Sequence, residues 1–309
     1  MTELIPSLNE REKRRAAATS VLAAVLLTVF KLVIGLSTNS LGILSEAAHS
    51  GLDLVAAVVT YLAVRISDKP ADSEHPYGHG KVENFSALFE TLLLLITCVW
   101  IIHEAIDRLF YKSVTVEATV WSFLVIAVSI VIDINRSRML YRAARKHHSQ
   151  ALEADALHFR TDIWSSSVVL IGLVGVLAAG LSPRLRWLEK ADAMAALGVA
   201  LIVIGISFQL GKRTIQALLD TAPQGLSESI RHEVERVPEV IDCHHVRIRS
   251  SGPLYFIDVH ITVDGELSLQ YVHDMTELIE ARIAAVVVHQ ADITVHPEPA
   301  PSPANPPPR

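Results

Sequence analysis

Apolar residues gather into six runs long enough to cross a bilayer, at residues 16–36, 41–66, 84–110, 115–134, 152–181 and 191–210. About 20 residues in a helix span the roughly 30 Å hydrocarbon layer, so the pattern predicts six membrane helices. The polar stretch before them, residues 1–15, has neither a short apolar core nor a small-residue cleavage site, and reads as a cytosolic lead-in. After Asp220 the periodicity changes. Residues 226–237 have helical spacing, 240–249 and 255–263 alternate like strands around Ser250-Ser251-Gly252-Pro253, 269–285 form a second helix and 286–295 a last strand. The expected architecture is an all-α six-helix membrane domain, residues 16–213, followed by a linker, 214–223, and a small cytosolic α+β domain of order αββαβ, 224–298. Seven of the fourteen prolines crowd into the last 13 residues, so 299–309 reads as a disordered tail.

Two of the apolar runs are broken in the same way. Residues 46–53 read EAAHSGLD and residues 155–162 read DALHFRTD. Each is an acid, two residues, a histidine, three residues and an aspartate. On a helix turning about 100° per residue, His49 and Asp53 share one face with Glu46 a turn earlier, and His158, Asp162 and Asp155 repeat the arrangement. Each ionisable group near a bilayer centre costs roughly 2.5–3.5 kcal/mol, so such clusters persist only where something compensates. A lone polar residue in a span ordinarily serves hydrogen bonding between helices. Repetition of one spacing in two helices argues instead for a four-ligand N2O2 metal site made by His49, Asp53, His158 and Asp162. That set suits Zn²⁺ and tolerates Cd²⁺, Co²⁺ or Ni²⁺, whereas Mg²⁺ and Ca²⁺ prefer oxygen throughout. Imidazole must be neutral to bind an ion, so ion and proton compete there. Glu46 and Asp155 are candidates for a proton path or for orienting the imidazoles.

Composition agrees with a membrane protein: 50% of the residues are hydrophobic, 19% are charged and the mean hydropathy is +0.36. The net charge of -6 gives no reason to expect nucleic acid as a partner. Cys98 lies in an apolar run and Cys243 in the polar region, so a disulfide between them is not expected. Basic clusters at Arg11–Arg15 and Arg136–Lys146 place both termini in the cytosol by the positive-inside rule, against Arg184, Arg186 and Lys190 on the other side.

Histidines recur outside the spans. Asp72, His75 and His79 lie within eight residues of a loop after the second span, a spacing able to wrap one ion. In the C-terminal region His244, His245, His260, His273, His289 and His296 fall within 53 residues, with Asp258 and Glu298 nearby. His260 and His296 sit on or beside strands and His273 on the helix expected to pack on them, so they can converge on a cytosolic site. Cys243 is a soft ligand or, more simply, a small buried hydrophobe. Lys81 is placed to pair with an acid such as Asp220.

Taken together, SLGILSEAAHSGLD, HPYGHGKVE, EADALHFRTD and RIRSSGP, spread over nearly the whole chain, resemble the cation diffusion facilitator family of proton-coupled divalent-metal exporters. The resemblance implies a homodimer in the lipid bilayer, here a bacterial inner membrane, with one alternating-access transport site per protomer. His49, Asp53, His158 and Asp162 match the family's transport ligands, and histidine rather than aspartate at position 49 resembles its zinc-preferring branch. Asp72, His75 and His79 match a loop site of some bacterial members, and His244, His260, His273 and His296 match a cytosolic two-metal site in a metallochaperone-like domain. The family closes that site with His-Gln-Asp. Here His296-Pro297-Glu298 supplies a longer carboxylate and no glutamine. Lys81 and Asp220 match a charge pair that locks the dimer.

The expected function is therefore proton-coupled efflux of a divalent transition metal, Zn²⁺ first, with Cd²⁺, Co²⁺, Fe²⁺ and Ni²⁺ as further substrates and Zn²⁺ also as a structural or regulatory ion. A membrane-anchored metal sensor would make the cytosolic ligands alone essential. An intramembrane metalloenzyme ranks lower, because four protein ligands leave a tetrahedral ion no place for water.

Overall fold

The computed structural model describes residues 8–110, 119–181, 188–287 and 290–300. Its element order is α1 (Leu8–Thr38), α2 (Leu41–Ser67), α3 (Lys81–Phe110), α4 (Val120–His147), α5 (Gln150–Leu181), α6 (Leu188–Leu218), α7 (Leu226–Glu235), β1 (Asp242–Ser251), β2 (Leu254–Val263), α8 (Leu269–Val286) and β3 (Gln290–Pro299). The chain divides into two compact units. One holds α1, α2 and Val82–Ile215; the other holds Pro70–Lys81 and the chain from Gln216 onward. The loop assigned from sequence to the membrane domain thus packs with the C-terminal elements.

In the first unit, α1, α2, α3, α4 and α6 are long and apolar enough to cross a membrane among the described residues. The fifth long helix, α5, carries the second motif and is described at the side-chain level only in part beyond Ile171. The helices outrun the apolar segments read from sequence. α1 begins at Leu8, ahead of the basic cluster, and α4 runs through its own cluster to His147. α4 starts at Val120 rather than residue 115, where the Thr119 side chain accepts from the Ser122 N–H at 3.2 Å and satisfies an end-of-helix donor. Residues 111–118, and residues 182–187 with Arg184 and Arg186, lie outside the described residues, as do His289 and 301–309.

Small side chains let the helices approach. Ala17 of α1, Val64 of α2, Leu140 and Ala144 of α4, and Ala151, Leu152, Ala156 and Phe159 of α5 form one buried cluster, while Ala87, Ala154 and Leu210 join α3, α5 and α6. Leu26, Leu36, Leu52, Ile96 and Val99 are exposed, an apolar surface suited to lipid. At one end of the bundle a buried charge network ties four helices. Lys13 Nζ lies 2.6 Å from Asp68 and 3.1 Å from Glu83, Arg14 binds Asp68 at 2.9 Å, and Ser67 and Ser149 donate to Glu83. Arg136, the first residue of the basic cluster that α4 carries, is buried: its guanidinium lies 3.5 Å over the Phe159 ring and donates to Ser20 at 3.1 Å.

The second unit is a three-stranded sheet of order β1-β2-β3, with β1 antiparallel and β3 parallel to β2. Ile257, Val259, Ile261 and Val263 of β2 point into a core with Ile230 and Val234 of α7 and Met275, Ile279 and Ile283 of α8. Asp258, His260 and Thr262 point the other way. The last strand begins later than its β-branched run suggests. Ile279, Ile283 and Val287 form an i, i+4 stripe on this core, so α8 continues through Val286, and β3 carries His296 and Glu298 within it. Pro297, which has no N–H to donate, is tolerated because β3 is an edge strand.

Candidate metal centre

α2 and α5 bring the four motif residues of the bundle together. Asp53 and His158 are buried. His158 Nε2 lies 3.2 Å from Asp53 Oδ1 and 3.6 Å from Asp162 Oδ2; His49 Nε2 lies 3.9 Å from Asp53 Oδ1 and 4.0 Å from Asp162 Oδ1. Ligands 2.0–2.1 Å from a tetrahedral ion sit about 3.3–3.4 Å apart. Asp53, His158 and Asp162 offer donors all within 4.8 Å of one another, close to that spacing, while His49 faces both carboxylates at 3.9–4.0 Å from outside that group. Two aspartates balance the charge of a dication, and two imidazoles supply the borderline-soft nitrogens that transition metals favour.

The site opens on a cavity of about 120 Å³, lined by Lys31, Glu46, His49, Asp53, Asp133 and Asp162 among others. Glu46 faces it but is engaged by Lys31 of α1, whose ammonium donates to Glu46 at 3.1 Å and to Ser50 Oγ at 2.8 Å. Asp155 is wholly buried, does not line the cavity, and accepts from Ser20 at 3.3 Å. The two acids that precede the histidines are therefore not equivalent. Lys31, Glu90 and Asp133 were missed from sequence, although each is a charged residue within an apolar run, which is itself the signal of a functional position in a span.

Asp72, His75 and His79 meet on the loop of the second unit. Asp72 Oδ1 is 3.3 Å from His75 Nδ1, Asp72 Oδ2 is 3.4 Å from His79 Nε2, and the two imidazole centroids are 4.4 Å apart. Backbone N–H groups of His75 and Glu74 donate to Asp72 Oδ1 at 2.7 and 3.0 Å, and they hold its carboxyl below the usual range, His75 chiefly. The loop is pinned to the hairpin by Tyr77, which meets Phe256 edge-on at 5.1 Å under the Arg249 guanidinium at 3.6 Å. Lys81 Nζ donates to Asp220 Oδ1 at 2.8 Å.

On the open face of the sheet, His244, His260 and His296 stand in register on adjacent strands. Glu298 sits among them, 2.8 Å from His260, 3.4 Å from His244 and 3.8 Å from His296. The hydrogen bond from His260 leads the effects that hold its carboxyl below the ordinary range. His273 does not join this cluster within one protomer; it stays 62% exposed on α8 beside Glu277 at 3.6 Å. His245 does join it. Strict alternation would send it to the opposite face from His244, but the bulge between His244 and Arg247, with His245 at φ 48°, brings its ring within 5.3 Å of His260. Cys243 faces the core, where burial pushes its thiol up to about 11, and it offers no thiolate.

Comparison with known proteins finds two family domains in order along the chain. Residues 17–219 match the cation efflux transmembrane domain, and 222–300 the cation efflux protein cytoplasmic domain. The chain is 32% identical over 292 residues to the cation-efflux pump FieF of Shewanella oneidensis, covering 91% of this chain and 95% of that one. It is 31% identical over 292 residues to the cation-efflux pump FieF of Citrobacter koseri, covering 92% and 94%. A solved structure titled the metal-bound C-terminal domain of the CzcD transporter from Thermotoga maritima is 36% identical over 24% of this chain and 86% of that one, with a TM-score of 0.23. Two family domains in order, full-length relatives and a transition-metal donor set inside a helical bundle lead to one assignment: this chain belongs to the cation efflux, or cation diffusion facilitator, family, and is an integral membrane transporter of metal cations rather than an enzyme.

Proposed function

We propose that the chain exports Zn²⁺ from the cytosol in exchange for protons, with Cd²⁺, Co²⁺, Fe²⁺ and Ni²⁺ as further substrates. The observation that carries this reading is the convergence of two imidazoles and two carboxylates from α2 and α5 at separations of 3.2–4.0 Å. Proton coupling follows from the ligands: protonating His49 or His158 removes the lone pair that holds the ion, so proton entry releases metal and metal entry releases protons.

In this reading the protein is a homodimer in a bacterial inner membrane with both termini cytoplasmic, as the basic residues in the first turns of α1 and within α4 favour. The Asp72–His75–His79 loop and the His244–His260–His296–Glu298 cluster, with His245 added, bind further ions that set the state of the transporter. His273 contributes to that cluster only from a second protomer, and the Lys81–Asp220 pair braces the dimer.

Zinc flux in proteoliposomes tests the core of the proposal. His49→Ala and Asp162→Ala each abolish it, and an inward proton gradient accelerates the wild type. Undiminished flux in either variant overturns the site, and flux indifferent to the gradient overturns the coupling. His49→Asp is expected to widen selectivity toward harder ions such as Mn²⁺.

A further inference from the structure

Glu90, on α3, belongs to neither histidine motif and lies on the far side of the His158 ring from the ion site. Its side chain has no solvent exposure. One oxygen, Oε1, accepts from Thr60 Oγ1 at 2.9 Å, which fixes the carboxylate's orientation. The other oxygen, Oε2, points at His158 Nδ1 from 3.8 Å. Neither Oε2 nor Nδ1 makes a hydrogen bond among the described residues. Two buried polar atoms of complementary kind thus face each other across a gap about 1 Å longer than a hydrogen bond.

That arrangement has a definite chemistry. His158 turns Nε2 toward Asp53 and Asp162, so the nitrogen that binds an ion is Nε2 and the neutral ring must then carry its proton on Nδ1. An Nδ1–H buried in the bundle needs an acceptor. A carboxylate acceptor does more than a neutral one, because it also raises the electron density that the imidazole offers the metal. Asp155, the acid one turn before His158 on the same helix, accepts from Ser20 through Oδ2 and keeps Oδ1 unpartnered among the described residues, but the carboxylate oxygen that faces Nδ1 is Glu90 Oε2. We propose that Glu90 is the positioning residue of the transport site: in the ion-bound state its Oε2 accepts from His158 Nδ1–H, fixes the Nε2-ligating tautomer and raises affinity for imidazole-preferring dications. The proposal rests on the transport reading above, but its readout does not require transport.

Two measurements test it. In proteoliposomes, Glu90→Leu is expected to raise the KM for Zn²⁺ about 10–100-fold with a smaller effect on the maximal rate. Glu90→Gln, whose amide oxygen still accepts from Nδ1–H, stays within about threefold of wild type. In the His158→Asp background, where no imidazole needs orienting, Glu90→Leu adds nothing to KM. Wild-type KM in Glu90→Leu, or equal impairment by Gln and Leu, overturns the proposal. The second measurement holds even where Glu90→Leu does not assemble. Nitrogen-15 spectra of histidine-labelled, zinc-loaded wild type, with His158 assigned by its loss in His158→Gln, are expected to show metal on Nε2 and a proton on Nδ1. The opposite linkage overturns the proposal. Absence of zinc flux in the wild type would instead refute the transport reading while leaving this spectrum to be read.

Discussion

Gly80→Ala puts a number on how firmly the metal-binding loop is docked. A Cβ at Gly80 would stand 2.2 Å from the Ser251 carbonyl oxygen, 2.5 Å from its carbonyl carbon and 2.8 Å from its Oγ. The two nearest obstacles are main-chain atoms at the end of β1, where Ser251 is paired with Leu254 of β2, so they cannot swing aside as a long side chain can. Restoring ordinary contact requires the loop to retreat by about 1.2 Å, enough to forfeit most of a close packing contact. That retreat loosens the Arg249–Tyr77 stack at 3.6 Å and the Tyr77–Phe256 edge contact at 5.1 Å. Such contacts contribute roughly 0.5–1 kcal/mol and 0.5–1.5 kcal/mol respectively, and with Tyr77 55% exposed the lower halves of those ranges apply. The docked loop should therefore weaken by about 1–2 kcal/mol, a factor of roughly 5–30 in its population. Hydrogen exchange on the purified full-length protein reads this directly. Peptides covering 72–80 and the β1–β2 turn should exchange faster, while those of α2 and α5 keep their protection. Unchanged exchange at the loop would refute the steric reasoning, and uniform acceleration across the chain would refute its local character.

Two further predictions concern charge. Lys31→Met and Glu46→Gln should each lower the melting temperature, because each leaves a charge unpaired in the bundle, and the double variant should recover most of the loss. With the Glu46 side chain 42% exposed, the coupling is on the order of 1 kcal/mol, and strict additivity would show that the pair is not formed. For Asp72, a carboxyl held below its ordinary value contributes stability that is fully present above about pH 4 and lost as pH falls through the lowered value. Thermal unfolding followed from about pH 6 down to about pH 3 should therefore steepen only below about pH 4, and less so in Asp72→Asn; an equal slope in the variant would remove Asp72 from that loss.

Much of the site was legible because its residues violate the local pattern. A histidine and an aspartate four apart within an apolar run announce one face of a helix, and a second copy announces a partner. Glu90 was equally visible as a charge among leucines, yet nothing in the sequence links it to His158, 68 positions away; that link exists only because α3 packs beside α5. Arg136 stood in the sequence only as one of a basic cluster, and that an aromatic face on α5 and a serine on α1 receive it is decided by packing. His245 shows the limit for strands, since period-two alternation assigns it to the core face and only the bulge reverses that.

By itself the sequence determined the run of long helices ahead of the C-terminal domain, the helix face bearing each His-x-x-x-Asp motif and the αββαβ order of that domain. Hydrophobic period and residue spacing are local quantities, and they survive without knowing what packs where. The tertiary structure decided which donors are within a coordination shell of one another, which acid attends which histidine, and that residues 70–81 pack with the C-terminal domain. Those depend on helix rotation, strand register and close approach between distant segments. A shift of an ångström or one residue of register, invisible in the sequence, makes or abolishes a ligand.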